Sequence, residues 1–212
     1  LSLSHEILPQ IKEFDRLSTT VVNAYVGPVF GAYLRHLKER LALLAPLREV
    51  LIMQSNGGVA PLDDARRLAV QAILSGPAGG VSGAAFYGQQ VGLSRVIGFD
   101  MGGTSTDISL IDNGIPHLTT EKFEAGWKIA VPMIDMQTLG AGGGSIAQVD
   151  AGGILHVGPQ SAGAAPGPAC YGKGGTHATV TDANLVLGFL DPENFLAGKA
   201  RLDRHLAEQA LH

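Results

Sequence analysis

An α/β fold is predicted, and three features of the chain predict it. Val96 to Leu110 reads as an apolar strand, a tight polar turn and a second strand. Long stretches on either side carry apolar residues at spacings of three and four, the mark of helices. Short apolar runs closed by glycine or proline supply further strands.

Taken in order, the first helix begins near Ser18, a suitable cap, and carries Val22, Val26, Val29, Tyr33, Leu37, Leu41 and Leu44. Gly27 and Pro28 lie inside it, so either the helix kinks or two helices meet there. Glu49 to Met53 reads as a buried strand ended by Ser55 to Gly58, and Pro61 to Ala69 as a short helix with Asp63 and Asp64 in its first turn. Ser75-Gly76-Pro77 opens a helix over about Ala78 to Val91. It is rich in alanine, glycine and serine, which suits a tight crossing. After the hairpin, Asn113-Gly114 is a turn signal. Lys128 to Met133 and Ile154 to Gly158 read as strands, with Leu139 to Ser145 as a glycine loop between them. Thr181-Asp182 starts a helix, Asp182 reading as its cap, and an amphipathic helix with Leu202, Leu206 and Ala210 on one face closes the chain.

Composition narrows the function classes. The chain has 212 residues, 45% hydrophobic and 16% charged, enough for one large domain or two small ones and unlike a disordered segment. Its net charge of −4 leaves no basic footprint for nucleic acid. Cys170 is the sole cysteine, which excludes an internal disulfide and suits a reducing, cytoplasmic setting. No apolar run approaches the ~18 residues of a membrane helix. The chain opens at Leu1 and is expected to be a piece of a longer subunit.

The chemistry concentrates in the turn. Gly102 and Gly103 let backbone N–H groups approach a ligand, and the hydroxyls of Thr104, Ser105 and Thr106 add donors suited to phosphate oxygens. Asp100 can orient water around a hard cation such as Mg2+. A nucleotide site follows. The dinucleotide fingerprint does not fit, because Ile108 to Ile111 continues as a strand rather than a helix. Gly167 to Lys173 has the spacing of a P-loop, but Gly174 stands where its serine or threonine belongs and no strand leads in.

A proline-opened helix of small residues, followed by strand-Asp-x-Gly-Gly-Thr-strand, resembles the entry to the second lobe of actin-like ATPases. Within that superfamily, Thr19 to Tyr25, Met53 to Gly58, Leu74 to Val81 and Phe99 to Asp107 are similar to the hydantoinase A/oxoprolinase family. So are Gly140 to Ala147, Val157 to Ala164, Pro166 to Gly172 and Thr179 to Gly188. The resemblance implies ribonuclease H-like lobes, with residues 1–92 ending a first lobe in a crossing helix and 93–212 forming a second. It implies part of an ATP-hydrolysing A subunit that acts on small cyclic amides with a B-type partner subunit, as a hetero-oligomer. The substrate oxygen would be phosphorylated before ring opening. A ketone carboxylase subunit and a non-catalytic, nucleotide-dependent module are the alternatives.

Carried over residue by residue, Gly102, Gly103, Thr104, Ser105 and Thr106 would hold the phosphates of ATP. Asp100 would stand near Mg2+ or the attacking group, and Gly142, Gly143 and Gly144 would line the cleft. Asp107 has two open readings, support of a metal or loop and a carboxylate that bonds turn amides. His156 and His177 read as packed or surface residues. The chain departs from the family at Asp135-Met136-Gln137-Thr138, where relatives often carry histidine in place of Gln137. Glutamine is a poor metal ligand and no general base. A second Asp-x-Gly-Gly-Thr hairpin is absent from these 212 residues, so this stretch alone is expected to bind ATP weakly and turn over nothing.

Overall fold

The computed structural model describes residues 1–44, 49–124 and 126–212. The chain divides into two compact units: Leu1–Gly98 with Ser109–Met136, and Phe99–Ile108 with Gln137–His212. The hairpin of Val96 to Asp112 gives its base to the first unit and its tip to the second.

In the first unit, α1 (Ser4–Ile7) precedes a single helix of 32 residues, α2 (Glu13–Leu44). Pro28 interrupts its hydrogen bonding without dividing it. The buried side of α2 is largely polar. Lys128 Nζ lies 3.1 Å from Asp15 Oδ1, Ser18 donates to Lys128 O at 2.6 Å, and Ala130 N donates to Thr19 Oγ1 at 3.1 Å. Asn23 accepts from Val70 N at 3.0 Å and donates to Arg67 O at 3.2 Å. These bonds satisfy backbone groups that burial would otherwise leave unpaired. The expected apolar face splits. Val22 and Leu37 pack inward, while Val29, Tyr33 and Leu44 lie exposed beside Phe14, Leu17, Val21 and Tyr25. Both sides of this helix carry apolar residues, so periodicity could not choose between them.

The strands β1 (Leu51–Met53) and β2 (Val59–Pro61) pair antiparallel, and α3 (Leu62–Arg67) follows directly. Helix α4 (Ser75–Gln90) buries Ala78, Val81, Ala85 and Gly88. A Cβ on Gly88 would stand 2.7 Å from Val96 Cγ2, so the strand after α4 needs glycine there. That strand, β3 (Val96–Met101), and β4 (Thr106–Asp112) form the predicted hairpin. Asn113 and Gly114 both have positive φ, 51° and 75°, and join β4 to β5 (Ile115–Pro116) through the two-residue turn that the sequence announces. Three short pieces follow: β6 (Leu118–Thr119), β7 (Lys122–Glu124) and β8 (Trp127–Ile129). The strand expected over Lys128 to Met133 is interrupted: β8 ends at Ile129, Ala130 to Pro132 are not strand, and β9 (Met133–Ile134) follows. Strand β10 (Met136–Leu139) joins the hairpin in the order β10-β4-β3.

In the second unit, β11 (Ser145–Val149) and β12 (Leu155–Ser161) pair antiparallel, with a bulge between Ser145 and Ala147. Helix α5 (Val180–Val186) is capped by Thr179, three residues before the expected cap. Asp182 is not the cap but the third helical residue, which completes a reciprocal capping box. Helix α6 (Arg204–Leu211), capped by Asp203, packs on α5 through Cys170, Leu185, Leu202 and Ala207. Among the described residues no helix is long and apolar enough to cross a membrane.

Candidate nucleotide site

The turn between β3 and β4 is closed by one internal bond, from Gly102 N to Ser105 O at 2.9 Å. Residues Met101 to Thr104 are exposed and Ser105 is half-buried. Among the described residues, no protein acceptor takes the amides of Gly103, Thr104 or Ser105, and the hydroxyls of Thr104 and Ser105 bond no protein group. Three consecutive amides and two hydroxyls are thus left without a protein partner among the described residues, and they are donors of the kind phosphate oxygens accept from. Asp100, on the strand leading in, is exposed, and no protein donor meets its carboxylate among the described residues.

Thr106 behaves differently from its neighbours. It is 1% exposed, and its hydroxyl donates to Ala141 O at 2.6 Å. The hydroxyl is therefore spent inside the unit, tying the hairpin to the second glycine turn. Asp107 accepts from Thr138 Oγ1 at 2.6 Å through Oδ1.

Gly142, Gly143 and Gly144 sit directly against the hairpin turn, and their amides are occupied. Gly142 N donates to Ser145 Oγ at 2.8 Å, Gly143 N to Gly102 O at 2.9 Å, and Gly144 N to Gly103 O at 2.7 Å. A Cβ on Gly142 would lie 2.7 Å from Gly102 O, Ser105 N and Thr104 C, all of them backbone atoms. On Gly144 it would lie 2.9 Å from Gly103 O. Here glycine permits two main chains to touch.

A third layer lies behind this turn. Thr181 N and Thr181 Oγ1 both donate to Gly143 O, at 2.8 Å and 2.7 Å. Asp182, fully buried, accepts from Cys170 N at 2.8 Å, Ala169 N at 3.3 Å, Thr179 N at 3.0 Å and Thr179 Oγ1 at 2.7 Å. The P-loop-like stretch thus turns two of its amides onto an internal carboxylate, which leaves those two unavailable to a phosphate. Burial, reinforced by a hydrogen bond and the charge of Asp182, pushes the Cys170 thiol up to about 12, so it stays protonated and unreactive near neutrality. Sequence reasoning missed the brace formed by Thr181. The Thr179-x-x-Asp182 spacing was the signal that fixes this helix start.

His156 lies away from these turns, its Nε2 2.7 Å from Asp150 Oδ2 on the β11–β12 hairpin. That bond, with the amides of Ile154 and Gly152, holds the exposed Asp150 carboxyl below its ordinary range. Among the described residues no three His, Cys, Asp or Glu side chains gather as a metal cage. A magnesium ion held mostly by water and phosphate needs only one or two carboxylates. The uncommitted Asp100 fits that requirement.

Comparison with known proteins places the chain in a family. The hydantoinase/oxoprolinase family matches residues 16–212. The chain is 49% identical over 207 residues to the caprolactamase subunit alpha of Pseudomonas jessenii, covering 98% of this chain and 30% of that one. The crystal structure of the ATP-dependent caprolactamase from that organism superposes with a TM-score of 0.79, and a nucleotide-free structure of an ATP-dependent acetone carboxylase, 31% identical, with 0.77. The latter match covers 98% of this chain and 29% of the carboxylase chain. The 5-oxoprolinase of Saccharomyces cerevisiae is 44% identical over 197 residues, which are 92% of this chain and 15% of the yeast protein. The α/β architecture expected from the sequence is that of these neighbours, and it accords with the actin-like ATPase type. The chain spans less than a third of the length of each of these relatives.

Proposed function

The chain belongs to the hydantoinase/oxoprolinase family, and on that premise we propose that it is the phosphate-gripping part of an ATP-dependent cyclic-amide hydrolase subunit. The observation that carries this reading is the exposed turn with free amides at Gly103, Thr104 and Ser105. These N–H groups and the hydroxyls of Thr104 and Ser105 would hold the phosphates of ATP, and Asp100 would hold Mg2+. Thr106, Gly142, Gly143 and Gly144 act behind the turn by fixing its shape, and Asp107 steadies the strand through Thr138. ATP, when bound, supplies a transferable phosphoryl group that makes a poorly reactive amide oxygen a good leaving group.

A cyclic amide is favoured over a ketone because the caprolactamase and 5-oxoprolinase relatives, at 49% and 44% identity, stand nearer than acetone carboxylase at 31%. The intact subunit works beside a B-type partner in the cytoplasm. Phosphate release by the purified complex, measured with a panel of lactams, hydantoins, oxoproline and small ketones, tests the assignment. Release stimulated by cyclic amides supports it; stimulation by ketones alone, with bicarbonate consumed, would replace it with the carboxylase reading.

A further inference from the structure

We propose that Thr181 is a positioning residue of the nucleotide site, acting through Gly143 on the shape of the phosphate turn. The inference rests on reading that turn as the phosphate grip. Both donors of Thr181, its amide and its hydroxyl, converge on one acceptor, Gly143 O. The other side of the same peptide neighbourhood, Gly143 N, holds Gly102 O, and the next amide holds Gly103 O. Gly102 and Gly103 open the turn that carries the unbonded amides of Gly103, Thr104 and Ser105, so holding their carbonyls fixes the start of that turn. The brace is tight: a Cβ on Gly143 would stand 2.8 Å from Thr181 Oγ1.

Thr181 is itself held from behind. It is buried, and its neighbour Asp182 gathers four donors from two chain segments, which fixes the first turn of α5 against the Ala169–Tyr171 turn. A single carbonyl that accepts two bonds from a helix start so anchored has little freedom to rotate. The hydroxyl bond is the part of this brace that a side-chain change can remove, because the amide bond from Thr181 N survives substitution. Among the described residues no hydrogen bond joins Thr181 to the turn's free donors, so its effect on nucleotide binding passes through Gly143.

The test uses the intact subunit in its native complex. Thr181→Val removes the hydroxyl at nearly constant size, and Thr181→Ala does so without placing a methyl against Gly143 O should valine prevent folding. Loss of one buried hydrogen bond that shapes the turn raises the KM for ATP about five- to tenfold, with kcat at saturating ATP within about twofold of wild type. Thr181→Ser keeps the hydroxyl and restores the KM to within about twofold. Hydrogen exchange at the Gly143 amide accelerates in the valine or alanine variant and not in the serine variant. A wild-type KM in a folded variant lacking the hydroxyl overturns the positioning role, as does an equal loss in Thr181→Ser. A wild-type complex that binds no ATP overturns the phosphate-grip reading together with this one, so the two failures are distinguishable.

Discussion

Two glycine-rich turns of the second unit lie one on the other and use glycine for opposite purposes. In the hairpin turn, Gly103 has open space where a side chain would be, and its amide meets no protein acceptor among the described residues. In the turn of Gly142, Gly143 and Gly144, every amide is bonded and each added Cβ would collide. The first turn offers its backbone to a ligand; the second gives its backbone to the first. A small residue can therefore mark a binding surface or the scaffold beneath it, and the fate of its N–H tells which.

The largest expected effect comes from breaking the scaffold. Gly142→Ala drives a methyl against three backbone atoms at 2.7 Å, none of which can swing aside. Overpacking of this kind costs about 3 kcal/mol or more, read as a lowered denaturation midpoint of the intact subunit, with nucleotide binding lost in parallel. Next comes a change that should leave the scaffold alone. Asp100→Asn keeps the shape of an exposed side chain with no protein partner, so stability holds while kcat falls on the order of a hundredfold, as expected for removing a charge at the reacting centre. Unchanged kcat would remove Asp100 from the site.

Gly103→Ala sharpens the contrast with Gly142→Ala. The new methyl meets nothing within 4 Å, so stability changes by less than about 0.5 kcal/mol. The KM for ATP rises about tenfold, because the methyl enters the space the phosphates need. A Gly103→Ala variant that unfolds, or a Gly142→Ala variant that is merely weak for ATP, would erase the distinction between the turns. The smallest effect lies outside both. The Asp150 carboxyl is held low by His156, so any stability from it is present near neutrality and lost only as the solution is acidified through its lowered value. Because the pair is exposed, His156→Gln should leave the denaturation midpoint at neutral pH unmoved.

Some of this was legible in the residues. The hairpin was, because a strand that runs into aspartate, two glycines and three hydroxyls has few structural reasons to exist. The Asn113-Gly114 turn was as well, since few residue pairs accept positive φ twice. The direction of α2 was not, because it is apolar on two sides and reserves Asp15, Ser18, Thr19 and Asn23 for buried backbone groups. Nor was the difference between the two glycine turns, or between Thr104 and Thr106. Sequence tells that a small residue or a hydroxyl is needed, while tertiary contact decides whether it faces solvent or protein. Thr181 was hidden for the same reason: its partner, Gly143, lies 38 positions away.

Hydrogen exchange read at single residues, in the intact subunit with and without a non-hydrolysable ATP analogue and magnesium, tests the central claim most directly. The amides of Gly103, Thr104 and Ser105 should exchange rapidly in the free protein and slow at least about tenfold with the analogue, while Gly143 and Gly144 remain protected in both states. Protection of the hairpin turn before nucleotide is added, or exchange there that saturating nucleotide leaves unchanged, would contradict the account.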